Sequence, residues 1–199
     1  LTFIRYKIIG RENIEKGKSY IYVSNHTSFL DLPGIAMTIR GQFRPLAKKE
    51  LLKIPVFGWI TRATCVVVDR TSNESRKKSL DHLKEILTMG INILIFPEGT
   101  RRDLGAPPAY QAGSFALYKS LGVPCLPAGL NSGCFWPHHG FVFRPGCIVI
   151  EFLPPIEPGL SRDVFMRRLS EDIESSSSRL LAEAMDRIAK PIDFEGQHD

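Results

Sequence analysis

The feature that most constrains the fold is an alternation of short, continuously apolar runs with longer stretches of helical period. Tyr20–Val23, Thr64–Val68, Ile91–Phe96, Val123–Leu130 and Cys147–Phe152 are predicted strands. Their unbroken apolar character predicts burial on both faces, as in a sheet covered by helices. Between them, Asp31–Ile39 reads as a helix. Leu80, Leu83 and Leu87 recur at helical spacing ahead of Gly90, and Gln111–Leu121 stops at Gly122. From Ser161 a long helical region carries Phe165, Leu169 and Ile173 on one face, continued by Leu180, Leu181, Ala184 and Ile188. Ser175–Ser178 is expected to weaken or break that helix. The order β-α-β-β-α-β-α-β-β-α predicts an α/β fold with a mixed, largely parallel sheet. The 199 residues contain no linker-like stretch, which predicts one domain.

Composition sets limits on partners. Lys plus Arg number 26 against 21 for Asp plus Glu, a net charge of +5. A basic excess suits nucleic acid, an anionic membrane, or phosphate-bearing substrates such as coenzyme A, and equally a solvated basic surface. No zinc-finger spacing and no glycine-aromatic RNA-binding pattern accompanies it, so nucleic acid is set aside. None of the four cysteines forms a CxxC pair, and Cys65, Cys125 and Cys147 sit in apolar runs as small core residues. Cys134, His138 and His139 alone resemble a metal site, and a plain loop is the preferred reading, with no metal expected. No apolar run reaches the roughly 18 residues of a membrane-spanning helix. The chain begins at Leu1 and not at Met, which leaves room for an upstream membrane anchor. Reduced cysteines and the lack of a secretion signal point to the cytoplasmic face of a membrane.

Two segments carry candidate chemistry. In Asn25-His26-Thr27-Ser28-Phe29-Leu30-Asp31, a strand ends at Val23 and a helix is expected near Phe29. Residues five apart on one helix point about 140° from each other. His26 therefore meets Asp31 only if it precedes the helix and Asp31 lies in the first turn. Asp31 would then fix the imidazole tautomer and leave the other nitrogen as a general base. There is no GxSxG elbow, so such a base acts directly on a substrate hydroxyl. The same residues also fit a capping box, with Ser28 as cap and Asp31 reaching back. Phe96-Pro97-Glu98-Gly99-Thr100-Arg101 follows an apolar strand that Pro97 stops. Gly99 permits a tight turn, Arg101 and Arg102 offer forked donors for a phosphate, and Glu98 is an acceptor for a hydroxyl. A plain β-turn with surface arginines fits the same letters.

Together these blocks resemble the glycerolipid acyltransferase family. Asn25 to Asp31 matches its NHxxxxD block, and Phe96 to Arg101 its FPEGTR block. Ala47-Lys48-Lys49-Glu50-Leu51 with Ile54-Pro55-Val56-Phe57-Gly58, Val67-Val68-Asp69-Arg70, and Val123 to Ala128 agree in order and spacing. The resemblance runs from about Tyr20 to Asn131 and implies a glycerol-phosphate-acyltransferase-like fold. It implies acyl transfer from acyl-CoA or acyl carrier protein to the free hydroxyl of lysophosphatidic acid, giving phosphatidic acid. His26 would be the base and Asp31 its orienting partner, with no covalent intermediate, no metal and no bound cofactor. Glu98 and Arg101 would hold the glycerol phosphate, Gly99 and Thr100 would shape its pocket, and Lys48 would contact phosphate. Arg70 is a further candidate, with an ion pair to Asp69 as the alternative. Another lysolipid such as a lyso-aminolipid, a thioesterase, or a non-catalytic lipid- or acyl-CoA-binding protein remain the competing readings.

The family usually carries more hydrophobic sequence ahead of the first block, whereas 24 residues precede Asn25 here, among them Arg5, Lys7 and Arg11. Leu51, Leu52, Ile54, Val56, Phe57, Trp59 and Ile60, beside Lys48, Lys49 and Lys53, suit an anionic membrane surface or, equally, a packed core.

Overall fold

A computed structural model describes residues 4–39, 42–69, 72–139 and 143–189. The strands are β1 (Ile4–Ile9), β2 (Ile21–Ser24), β3 (Phe43–Lys48), β4 (Val66–Val68), β5 (Asn92–Ile95), β6 (Cys125–Leu130) and β7 (Gly146–Phe152). They form one seven-stranded sheet in the order β1-β7-β6-β2-β5-β3-β4. Every neighbouring pair is parallel except β6 with β7, so the sheet is mixed and largely parallel as expected. The helices are α1 (Asp31–Thr38), α2 (Phe57–Thr64), α3 (Asn73–Thr88), α4 (Gly113–Leu121) and α5 (Arg162–Ala189).

The period-2 alternation of the central strands builds a core on each face. Ile21, Val23, Ile93 and Ile95 enter one core with Leu83 of α3, Leu117 of α4 and Phe165, Leu169 and Ile173 of α5. Tyr20, Tyr22, Leu94 and Leu126 enter the other with Ile35 of α1, Phe152 and Ala184. Burial on both faces explains why the central strands read as continuous apolar runs.

Three sequence expectations need correction. Residues Ser175–Ser178 do not interrupt α5, which runs unbroken for 28 residues. Small side chains are needed there because the helix crosses β6 at close range: a β-carbon on Gly129 would collide with the Ser176 hydroxyl. That hydroxyl donates to the Glu151 carboxylate. Two strands, β1 and β3, escaped assignment. β1 is an edge strand with alternating exposure and carries Arg5 and Lys7. β3 contains Pro45, which is tolerated because β3 pairs β5 there and its ladder to β4 starts only at Leu46. Thr64, placed in a strand from sequence, instead ends α2.

The topology also sets where chemistry can occur. β2 and β5 are adjacent and parallel. The chain leaves β2 towards α1 on one face and leaves β5 towards α4 on the other. Chains diverging from neighbouring carboxyl ends open a crevice between them, the usual binding position in an open α/β sheet. Both candidate motifs begin at that edge.

Candidate active site

β2 ends at a clamp. Asn25 Nδ2 donates to the Leu130 carbonyl at 3.0 Å, and Leu130 N donates back to Asn25 Oδ1 at 2.8 Å. The chain then turns through His26 to Leu30 before α1 starts at Asp31. This is the geometry the five-residue spacing demanded. His26 Nδ1 lies 2.7 Å from Asp31 Oδ2, and the same oxygen accepts from Thr27 N at 2.8 Å and Ser28 N at 2.9 Å. The Ser132 hydroxyl donates to Oδ1. Asp31 is fully buried, so these four donors replace the water it has lost.

Asp31 reaches back to Ser28 N as the acid of a capping box would, and it also orients His26, but Ser28 is not the cap: α1 is capped at Leu30 without a side-chain bond. Ser28 Oγ accepts from Leu30 N at 3.0 Å and donates to the Trp136 carbonyl at 2.6 Å. A carboxylate only accepts, so the proton it shares with His26 sits on Nδ1 and Nε2 offers a lone pair. The imidazole stacks on Phe96 with centroids 3.9 Å apart and planes inclined by 15°. Its side chain is 20% exposed, enough for one edge to meet a substrate.

The second motif forms the other wall. Gly99 N donates to the Phe96 carbonyl at 3.0 Å, and Gly99 takes φ 69°, a conformation that favours glycine. Glu98 turns inward behind His26, and its Oε2 accepts from His26 N at 2.9 Å. Arg102 N donates to the His26 carbonyl at 2.8 Å, so both main-chain groups of His26 are held by this turn. Burial pushes the Glu98 carboxyl up to about 8, while the bond from His26 N acts the other way. Arg101 spreads its guanidinium over the Phe29 ring at 3.7 Å. Burial lowers its pKa, and the Asp31 charge opposes that. Thr100 is exposed at the end of the turn. Lys48, at the carboxyl end of β3, holds its Nζ 3.5 Å from where a Gly99 β-carbon would stand. Thus His26, Asp31, Glu98, Gly99, Thr100, Arg101 and Lys48 gather at one sheet edge. Arg70 lies outside the described residues, and Asp69 pairs with Lys49 at 2.8 Å.

Sequence reasoning missed Ser132 and the structural parts of Asn25 and Phe96. Ser132 acts across 101 residues of chain, a pairing without local periodicity. The one available signal was its position beside Asn131, where the family-like stretch ends. The cysteine-histidine grouping also needs correction. Cys134 is buried in the core, where burial pushes its thiol up to about 11, and Asp103 takes its place beside the two histidines. Cys65 and Cys147 are only half-buried. Asp103, His138 and His139 bring one donor atom each within 4.8 Å of one another. Burial, then His139, lowers the His138 pKa.

Comparison with known proteins gives the family. The Acyltransferase family model matches residues 5–131. A 1-acyl-sn-glycerol-3-phosphate acyltransferase of Pseudomonas aeruginosa is 32% identical over 185 residues, covering 90% of this chain and 70% of the relative. The human 1-acyl-sn-glycerol-3-phosphate acyltransferase alpha is 30% identical over 166 residues, covering 80% of this chain and 58% of the relative. The crystal structure of the 1-acyl-sn-glycerophosphate acyltransferase PlsC from Thermotoga maritima superposes with a TM-score of 0.68 at 28% identity. That match covers 95% of this chain and 74% of the other. With a family model spanning more than half its length, the chain belongs to the acyltransferase family.

Proposed function

We propose that this chain transfers an acyl group from acyl-CoA or acyl carrier protein to the free hydroxyl of lysophosphatidic acid, releasing a thiol and phosphatidic acid. The observation that carries the reading is the 2.7 Å bond from His26 Nδ1 to a carboxylate locked by three further donors. With Nδ1 so engaged, Nε2 takes the proton of the acceptor hydroxyl as its oxygen attacks the thioester carbonyl. The tetrahedral intermediate collapses by breaking the carbon–sulfur bond, and the imidazolium returns its proton to the leaving thiolate. Buried Asp31 stabilises the imidazolium between those steps and is not itself protonated.

Arg101 and Lys48 are the phosphate ligands in this reading, supported by Lys48 Nζ reaching the Gly99 turn and by the Arg101 guanidinium lying over Phe29 of the His26 to Asp31 segment. Gly99 and Thr100 line the turn, and Arg70 is a further candidate for the same phosphate. Glu98 serves the acceptor by fixing the His26 main chain, supported by the 2.9 Å bond. In this reading the reaction runs at the cytoplasmic face of an anionic membrane, which would hold the acceptor. No helix among the described residues is long and apolar enough to cross a membrane. The chain spans a little over half the length of several relatives, and one domain is proposed for it.

The test is thiol release from a long-chain acyl-CoA with and without lysophosphatidic acid, with the lipid product identified by mass. Acceptor-dependent release with phosphatidic acid formed supports the proposal. Equal release without acceptor would make the chain a thioesterase, and release only with another lysolipid would reassign the acceptor.

A further inference from the structure

Five apolar residues of the segment from Lys48 to Thr64 stand in solvent and Leu52 is half-buried, which favours the surface reading of that stretch over the packed core. Leu51 is 39% exposed, Ile54 46%, Val56 68%, Trp59 81% and Ile60 53%. Singly scattered apolar residues on a surface are ordinary, but five within ten residues of chain form a patch. A β-carbon on Gly58 would run into the Leu52 carbonyl, so α2 packs directly on the 3-10 turn Lys49–Lys53. Gly58 N donates to the Ile54 carbonyl at 2.8 Å, and Arg44 Nη1 holds the Ala63 carbonyl at 3.1 Å. Val56, at the tip, takes φ 66°, a costly conformation for a β-branched residue.

The rim is basic. Lys48, Lys53 and Arg62 are exposed around the apolar residues, together with Lys49, which pairs with Asp69, and with Glu50 as a further acid. An exposed apolar tip flanked by cations has the chemistry of a surface that enters the headgroup region of an anionic bilayer. Trp59, the most exposed of these residues, is of the type that favours that depth.

We infer that the knob formed by the Lys49–Lys53 turn and α2 is the membrane-docking surface, and that its occupant is an anionic glycerophospholipid bilayer. This rests on the acyl-transfer reading for its purpose but not for its test. Lys48 ties the knob to the site: it ends β3, begins the knob and reaches the Gly99 turn. Docking this face therefore brings the mouth beside His26 to the depth of lipid phosphates, while the acceptor keeps its own acyl chain in the bilayer.

The experiment compares the wild-type chain, an Ile54→Ser/Trp59→Ser/Ile60→Ser variant and His26→Ala. Binding is measured by flotation with vesicles of phosphatidylcholine containing phosphatidylglycerol, and folding by circular dichroism. Wild type and His26→Ala should float equally. The triple variant should fold, lose vesicle partition by about a hundredfold or more, and keep its turnover on a short-chain, monomeric acceptor. Undiminished flotation of the triple variant overturns the inference. So does a wild-type chain that ignores vesicles but forms a dimer that the triple variant lacks, since the patch would then face a second copy. Flotation without any acyl transfer would sink the functional reading and leave the docking surface standing.

Discussion

Ser132→Ala separates two jobs that the structure assigns to one carboxylate. Asp31 is fully buried, with Ser132 on Oδ1, and His26, Thr27 and Ser28 on Oδ2. Truncating Ser132 strips Oδ1 of its donor and leaves the Oδ2 contacts in place. A buried acceptor left unsatisfied costs about 1–3 kcal/mol. For a chain of this size each kcal/mol is about 2–4 °C in melting temperature, so a fall of about 2–12 °C is expected. The rate should suffer less, by about tenfold at most, because the imidazole keeps its partner and a tenfold change is about 1.4 kcal/mol. Asp31→Asn should do the reverse to catalysis, with a loss on the order of a thousandfold, because the charge that stabilises the imidazolium is gone. The assay pairs thermal unfolding by circular dichroism with initial rates of thiol release. An unchanged melting temperature in Ser132→Ala, or a rate as low as that of Asp31→Asn, would refute this division.

Three further outcomes are expected. Arg101→Ala should raise KM for the acceptor by about tenfold or more while leaving KM for the donor nearly unchanged, as loss of a charged phosphate contact requires; equal effects on both would remove Arg101 from the acceptor site. Glu98→Gln keeps an acceptor for His26 N and removes a titrating group whose pKa burial raises from 4.5 to about 8. The folded wild type binds the extra proton across that window, so its stability relative to Glu98→Gln should fall as pH rises from about 4.5 to about 8; a flat difference in denaturant midpoints over that range contradicts this. Gly129→Leu should drive a side chain into Ser176 and lift α5 from β6, costing about 3 kcal/mol or more; wild-type resistance to urea would show that the crossing is looser than described.

How much was legible in the sequence followed from how local each feature is. β2, β5, β6 and β7 announced themselves because strands buried on both faces need apolar residues at every position. β1 and β3 did not, since an alternating edge and a proline mimic loops. The serine run in α5 misled for a related reason: Ser is a poor helix former in isolation, yet here it is the size that Gly129 and β6 leave room for. The His26–Asp31 contact was legible because strand end, turn and helix start all lie within one short stretch. The Glu98 turn was legible as a motif, but its bond to the His26 main chain depends on β5 lying next to β2. Lys48 over Gly99 depends on β3 lying next to β5. Ser132 depends on β6 flanking the other side of β2. Those neighbours are set by strand order, which no single block records.

The central claim is that His26, poised by Asp31, removes the acceptor proton. The most direct measurement is acceptor-dependent thiol release by His26→Ala beside the wild type, with circular dichroism confirming the fold. The account predicts that transfer disappears while the variant remains folded. Transfer at the wild-type rate in a folded His26→Ala would contradict it and require a different base.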